Sequence, residues 1–165
     1  MLKNVEVELG VDFFANRQEL EASAEKVVFT GMIDQYFDYK HGELEYRSLR
    51  FEHEVLDEEN YQGNAVVNYT EREIPYTRII EHKHFEYGTQ DKTVITREYP
   101  ADWNRGDEPY YPINDERNNA MFAKYQEEAA QNAKVIFCGR LADYKYYDMH
   151  VVIERALNVV EEEFK

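Results

Sequence analysis

The sequence predicts an α+β fold with α/β pieces, in which an antiparallel β-sheet domain is inserted between strands and helices of a partial α/β domain. Two observations carry this prediction. A compact apolar strand at Lys26-Val27-Val28-Phe29-Thr30-Gly31 and a strand, loop and helix from Lys134 onward stand at the two ends, and between them Leu44 to Tyr99 runs in long alternating segments. Short continuous apolar runs suit buried parallel strands, whereas period-two alternation suits antiparallel strands with one wet face. The resulting division is 1–40, 41–100 and 101–165, with the first and last being pieces of one domain.

Element by element, Val5-Glu6-Val7-Glu8-Leu9 alternates and reads as a strand, and Asn16 to Ala24 reads as a short helix or loop. The strand ending at Thr30-Gly31 leads to a helical turn at Ile33–Phe37. Four strands follow, at Tyr46 to Leu56, Gln62 to Tyr69, Tyr76 to Phe85 and Thr93 to Tyr99, separated by segments rich in Asp, Asn, Gly and Pro, and strands so close in sequence predict a meander. After the irregular stretch Trp103 to Pro112, Asn114 or Asp115 caps a helix to about Asn132 with Met121, Phe122, Tyr125 and Ala129 as its buried stripe. The last helix opens at Asp148, with Met149, Val152, Ile153, Ala156, Leu157 and Val160 as its apolar stripe.

The charge balance excludes one class of partner. With 34 acidic and 19 basic residues the net charge is −15, which repels nucleic acid and anionic membrane. Against that background the arginines aimed at anions must be placed locally, which singles out Arg78 and Arg140. One cysteine, Cys138, allows no internal disulfide, no apolar run reaches membrane-spanning length, and Met1-Leu2-Lys3-Asn4 does not read as a secretory leader. A reducing cytoplasm fits these features. The 14 tyrosines supply stacking area with one hydroxyl each, a combination suited to sugars and phosphates as well as to ordinary strand edges.

Several constellations have chemical potential beside an ordinary reading. Residues 137–150, with Gly139-Arg140 after a strand and a helix N-terminus at Asp148-Met149, could hold a phosphate or an anionic ring edge; Asp148 could equally be a plain N-cap. No G-x-G exists, so a complete dinucleotide fingerprint is excluded. On the third sheet strand Arg78 shares a face with Tyr76, Ile80, His82 and His84, and it either forks onto a phosphate or pairs with Glu52 or Glu54. The His82–His84 pair lacks a third ligand, so no metal is expected. Tyr110-Tyr111, bracketed by Pro109 and Pro112, is held rigid by its neighbours.

Taken in order, Thr30-Gly31-Met32-Ile33-Asp34, Tyr36-Phe37-Asp38-Tyr39, Gly42 to Leu49, Asn68-Tyr69-Thr70, Pro75 to Lys83, Glu98-Tyr99-Pro100, Tyr110 to Asn114 and Gly139-Arg140-Leu141 through Tyr144, Tyr146 and Asp148-Met149 resemble the bacterial UDP-galactopyranose mutases. The resemblance implies a cytoplasmic isomerase of cell-surface polysaccharide biosynthesis. It interconverts UDP-galactopyranose and UDP-galactofuranose by nucleophilic catalysis through reduced FAD. It implies that the flanking pieces belong to a partial FAD-binding Rossmann-like domain. Carried over by position, Arg78 corresponds to a diphosphate-clamping arginine, Tyr111 and Tyr146 to tyrosines reaching the diphosphate, and Asp148 to an acidic residue near flavin and sugar. Asn68 falls to the substrate cleft, and Thr30, Gly31, Gly139, Arg140 and Met149, with Asp148, fall to the cofactor side.

Family members are roughly twice this length and open with the glycine loop this chain lacks. The resemblance therefore implies a C-terminal half, inactive alone, with an incomplete FAD site and a tendency to form homodimers or larger assemblies through uncovered surface. The competing expectation is a non-enzymatic sheet module that binds a sugar or a protein.

Overall fold

A computed structural model of the chain describes residues 2–163. In chain order the elements are α1 (Phe13–Ser23), β1 (Val27–Phe29), α2 (Ile33–Tyr36), β2 (Tyr46–Leu56), β3 (Val66–Asn68), β4 (Arg78–Glu81), a 3₁₀ turn (His82–Glu86), β5 (Thr93–Asp102), β6 (Tyr111–Pro112), α3 (Glu116–Ala129), β7 (Val135–Phe137) and α4 (Met149–Glu163). They form two compact units, one made of residues 1–44 with 114–165, the other of residues 45–113.

In the first unit, β1 and β7 pair in parallel through Val27↔Val135, Val28↔Ile136 and Phe29↔Phe137. One face of this pair is closed by aromatic packing, because Phe13 and Phe14 at the start of α1 and Tyr36 and Phe37 at the end of α2 surround Phe29 and Phe137. Asp12 caps α1 by accepting from the Ala15 N–H at 2.7 Å, which aims both phenylalanines into that cluster. Arg17 then lies 3.9 Å over the Tyr36 ring and donates to the Tyr36 carbonyl at 2.8 Å. On α3, Asp115 is the cap, Tyr125 is buried, and Met121, Phe122 and Ala129 are half-buried. The fully buried Asp34 accepts from the backbone N–H of Leu44 at 2.9 Å and of Gln35 at 3.0 Å, fixing the loop that ends this unit's first segment.

One expectation for this unit is corrected. Val5-Glu6-Val7-Glu8-Leu9 forms no strand: Val5, Val7 and Leu9 are exposed, and a strand exists only where a neighbour takes its backbone groups. The apolar stripe of α4 is mostly exposed. Met149, Ile153, Ala156, Leu157 and Val160 face solvent, while Val151, Val152, Arg155 and Val159 form the covered side. At the helix end, Glu163 pairs with Lys26 at 2.9 Å, which offsets part of the conflict between three terminal glutamates and the helix dipole.

The second unit is a five-stranded antiparallel sheet in the order β3-β4-β5-β2-β6. Strands β3, β4 and β5 do form a meander, but β2 pairs with β5 and not with β3. Length decides this: β2 and β5 match through an unbroken register from Arg47↔Asp102 to Leu56↔Thr93, which a three-residue β3 cannot offer. Strand β5 also runs past the expected end at Tyr99, through Pro100 to Asp102. Beyond Glu98 it has only β2 beside it, and a strand with one neighbour can carry a proline.

The strand expected over Gln62 to Tyr69 is confined to Val66–Asn68, and that expected over Tyr76 to Phe85 stops at Glu81. One side chain explains both. The Glu81 carboxylate is fully buried and accepts from the Tyr61 N–H at 3.0 Å, the Gln62 N–H at 2.9 Å and the Thr93 hydroxyl at 2.8 Å, with His84 Nε2 at 3.1 Å. Gathering these donors turns residues 61–62 inward and folds residues 82–86 into a 3₁₀ turn, so His82 and His84 no longer share a strand face with Arg78. His82 instead meets the Thr96 hydroxyl at 2.6 Å, and Lys83 is buried with its ammonium donating to the carbonyls of Glu59 and Gln90.

Candidate functional site

The expected site residues fall into both units: Asn68, Arg78 and Tyr111 in the sheet, and Thr30, Gly31, Gly139, Arg140, Tyr146, Asp148 and Met149 in the other. Within the sheet, cross-strand register aligns Asn68, Arg78 and Glu98 in one row over β3, β4 and β5. Arg78 Nε donates to Asn68 Oδ1 at 2.9 Å, and Nη1 lies 3.5 Å from the buried Glu98 carboxylate. The amide contact orients the guanidinium plane, and the long contact to Glu98 is a loose one. Glu52 and Glu54, the partners considered for Arg78 from sequence, are engaged elsewhere: Glu52 with Arg50 and Tyr99, Glu54 with Arg97.

Glu98 opens onto a cavity of about 600 Å³ that also takes in Ser48, Thr77, Asp102 and Tyr111. That volume lies within the range of small-molecule sites. Tyr111 reaches it from β6, held by pairing with Arg47 on β2 and by the Tyr110 N–H donating to the Arg47 carbonyl at 3.1 Å. Arg78 is joined to this cavity through Glu98 and stays partly exposed. A guanidinium fork and a set of hydroxyls beside a concavity can hold a phosphorylated, hydroxyl-bearing ligand.

In the other unit the parallel pairing of β1 and β7 places Thr30-Gly31 and Gly139-Arg140 at the same, carboxyl end of the two strands, the end where α/β sheets take ligands. A Cβ on Gly139 would stand 3.7 Å from Thr30 Cβ, so the corners touch, and the Gly139 φ of +104° is open to glycine alone. Gly31 has a packing reason independent of any ligand, since a Cβ there would come within 2.6 Å of its neighbour's ring at Phe29. Arg140 lies 5.1 Å over the half-exposed Tyr146 ring. Met149 opens α4 almost fully exposed, and the Asp148 carbonyl accepts from Val152 N at 3.0 Å. Burial pushes the Cys138 thiol above its ordinary range, which suits a filler and not a nucleophile.

Two residues that sequence reasoning passed over hold this corner. Asp143 Oδ2 accepts from Gly139 N at 3.1 Å and from Tyr147 Oη at 3.3 Å, and Arg155 on α4 reaches the same carboxylate at 3.2 Å. Arg155 Nη2 also donates to the Phe137 carbonyl at 3.4 Å, so one ion pair ties the end of β7 to α4. The separation of four between Gly139 and Asp143 was the available signal, but it is lost among 34 acids. Glu98 was hidden in the same way. For a flavin nucleotide, the Thr30–Gly139 corner with Arg140 fits as one wall; no G-x-G loop is present to cradle a pyrophosphate. Among the described residues no group of three His, Cys, Asp or Glu side chains could hold a metal ion.

Comparison with known proteins decides the family. Residues 1–146 match the profile of UDP-galactopyranose mutase. The chain belongs to the UDP-galactopyranose mutase family. It is 37% identical over 162 residues to a dTDP-fucopyranose mutase of Escherichia coli, covering 96% of this chain and 43% of the relative. Over 161 residues it is 37% identical to a probable UDP-galactopyranose mutase of Klebsiella pneumoniae, covering 97% of this chain and 41% of that protein. A UDP-galactopyranose mutase of Mycoplasma pneumoniae is 38% identical over 142 residues, 82% of this chain and 35% of the relative. The chain thus spans about two-fifths of the length of the first two relatives.

Proposed function

We propose that this chain is the C-terminal portion of a flavin-dependent mutase that interconverts UDP-galactopyranose and UDP-galactofuranose. The observation that carries the reading is the Asn68–Arg78–Glu98 row beside the Tyr111 cavity, in a member of a mutase family. Among its relatives both UDP- and dTDP-linked sugars appear in the names, and what such substrates share is a diphosphate that must be held as a leaving group.

In this reading Arg78 forks onto the diphosphate, exchanging its loose contact with Glu98 for a stronger one, and the Tyr111 hydroxyl adds a donor to it. Asn68 keeps the guanidinium plane aligned throughout. Thr30, Gly31, Gly139 and Arg140 line one side of the FAD site of a Rossmann-like domain, with Met149 and Asp148 at the start of α4 on the same cofactor side. Reduced FAD, when bound, supplies the nucleophile and returns unchanged. The enzyme acts in the cytoplasm, a reading supported by a sequence whose single cysteine, Cys138, can form no internal disulfide. The chain alone, with its exposed apolar helix face, self-associates into dimers or larger species.

Half a cofactor site loses most of its donors, so the isolated chain is expected to purify colourless and to leave UDP-galactofuranose unchanged in the presence of reduced FAD. Flavin absorbance together with product analysis by chromatography tests this. Turnover by the purified chain would overturn the reading of an incomplete site.

A further inference from the structure

Two histidines converge on one hydroxyl of the sheet's central strand. His53 on β2 is the direct register partner of Thr96 on β5, and its Nδ1 lies 2.8 Å from Thr96 Oγ1. On the other side of β5, Ile80 of β4 stands opposite Thr96, and the chain then turns so that His82 Nε2 reaches the same oxygen at 2.6 Å. The threonine is buried and both histidines are exposed, so the pair is open to solvent. The sequence sets His82 beside His84, but the 3₁₀ turn sends His84 to Glu81 and leaves His82 to His53. A hydroxyl has one hydrogen. It donates to one ring only and accepts from the other, so it cannot satisfy two imidazole lone pairs at once.

We infer that His53, His82 and Thr96 bind one borderline divalent metal ion, of the class of Zn²⁺, Ni²⁺ or Cu²⁺, which braces β2, β5 and the 3₁₀ turn. Imidazole nitrogens are preferred ligands of these ions. Metal bonds of about 2.1 Å set adjacent ligands about 3.0 to 3.4 Å apart, so each ring draws back from the hydroxyl by only about half an ångström. The ring that carries its hydrogen on the facing nitrogen moves it to the other nitrogen, a change open to an exposed imidazole through water. Two imidazoles and a neutral hydroxyl leave positions for water, which makes this an open site and not a closed four-ligand centre. His82 also borders a hollow of about 490 Å³ with Phe85, Glu86 and Val94, which gives those waters room. The cations that share the hollow are engaged: Lys83 donates to the Glu59 and Gln90 carbonyls, and Lys92 pairs with Asp57 at 3.2 Å. Among the described residues neither ring pairs with a carboxylate, so the site lacks the charged oxygens that Mg²⁺ and Ca²⁺ require. The net charge of −15 draws cations to the chain from a distance. The inference is independent of the sugar-nucleotide and flavin reading.

The test uses the untagged full chain in metal-free buffer at neutral pH, with Zn²⁺ followed by calorimetry and Cu²⁺ by electron paramagnetic resonance. One ion per chain is expected, with two nitrogens coupled to the copper. His53→Gln and His82→Gln each keep a polar arm toward Thr96 without a metal-binding imidazole, and each should weaken binding by about tenfold or more. Thr96→Val should weaken it by less, and His150→Ala, at the exposed start of α4, should leave it unchanged. Zn²⁺ should also raise the urea midpoint of the wild-type chain, read by tryptophan fluorescence, and leave that of His53→Gln where it is, because only the folded pair holds the ion. No bound ion, copper coupled to fewer than two nitrogens, binding indifferent to both glutamine variants, or equal binding of Mg²⁺ would each overturn the inference.

Discussion

Replacing Glu81 by glutamine removes one charge from the centre of the sheet unit and changes almost nothing in shape. Burial by itself would raise the pKa of this carboxyl, but the backbone donors of Tyr61 and Gln62, the Thr93 hydroxyl and the His84 ring outweigh it and lower the pKa from an ordinary 4.5 to about 2. Each pKa unit corresponds to about 1.4 kcal/mol, so the ionised form contributes about 3 kcal/mol to folding at neutral pH. Because the folded-state value is depressed, that contribution is present above about 4.5 and is lost as pH falls toward about 2. A glutamine amide can accept on one oxygen only and turns an N–H₂ against a backbone donor. The sole tryptophan, Trp103, lies in the same unit against Tyr46, so its fluorescence in urea reports on this unit directly. Glu81→Gln should lower the unfolding free energy by about 3 kcal/mol at pH 7, with the gap to wild type closing between about pH 4.5 and 2. All other carboxylates are common to both proteins and cancel in the difference. A gap that stays constant across that pH range, or one under about 1 kcal/mol at pH 7, would refute the buried-anion account.

Asp34 should behave in the opposite sense, because burial raises its pKa despite the Leu44 and Gln35 donors. Its ionisation costs stability as pH rises above the ordinary aspartate range, so Asp34→Asn should cost less than Glu81→Gln at pH 7 and gain relative to wild type with rising pH; a urea series at three pH values checks the sign. In a complete family enzyme carrying this region, Arg78→Ala should reduce kcat/KM by about a hundredfold or more and Arg105→Ala, in an exposed loop, by less than about tenfold; equal losses would remove Arg78 from the diphosphate site. Asp143→Ala should release the Gly139 amide, seen as faster hydrogen exchange over residues 137–143 while the sheet unit keeps its protection, and unchanged exchange there would show that the carboxylate holds nothing.

Much of this architecture was legible because local pattern and tertiary environment agree. Strand β2 pairs along its whole length as one long strand, and α3 begins at an aspartate cap with its stripe on the covered side. Where the two levels part, sequence reading fails for a physical reason. Residues 82–85 read as the continuation of a strand, yet satisfying a buried Glu81 curls residues 82–86 into a 3₁₀ turn. Register partners such as Glu98 cannot be picked from a chain crowded with acids, because nothing in a single strand says which residue lies opposite. For α4, periodicity reports that a face is apolar and not what covers it, and the stripe is exposed.

The sheet unit enters and leaves the rest of the chain at adjacent points, since the Ile113 N–H donates to the Glu45 carbonyl at 3.0 Å. This has a kinetic meaning. Strands β1 and β7 are far apart in sequence, and closing a flexible loop the size of residues 45–113 costs on the order of 4 kcal/mol. Once the sheet has folded, the pairing of β2 with β5 and β6 holds that loop shut, and the two strands search for each other as if joined by shorter tethers. The expected folding order is the middle first and the parallel pair after it, so a slow phase in the assembly of that pair should disappear whenever refolding starts from a chain whose sheet is already formed.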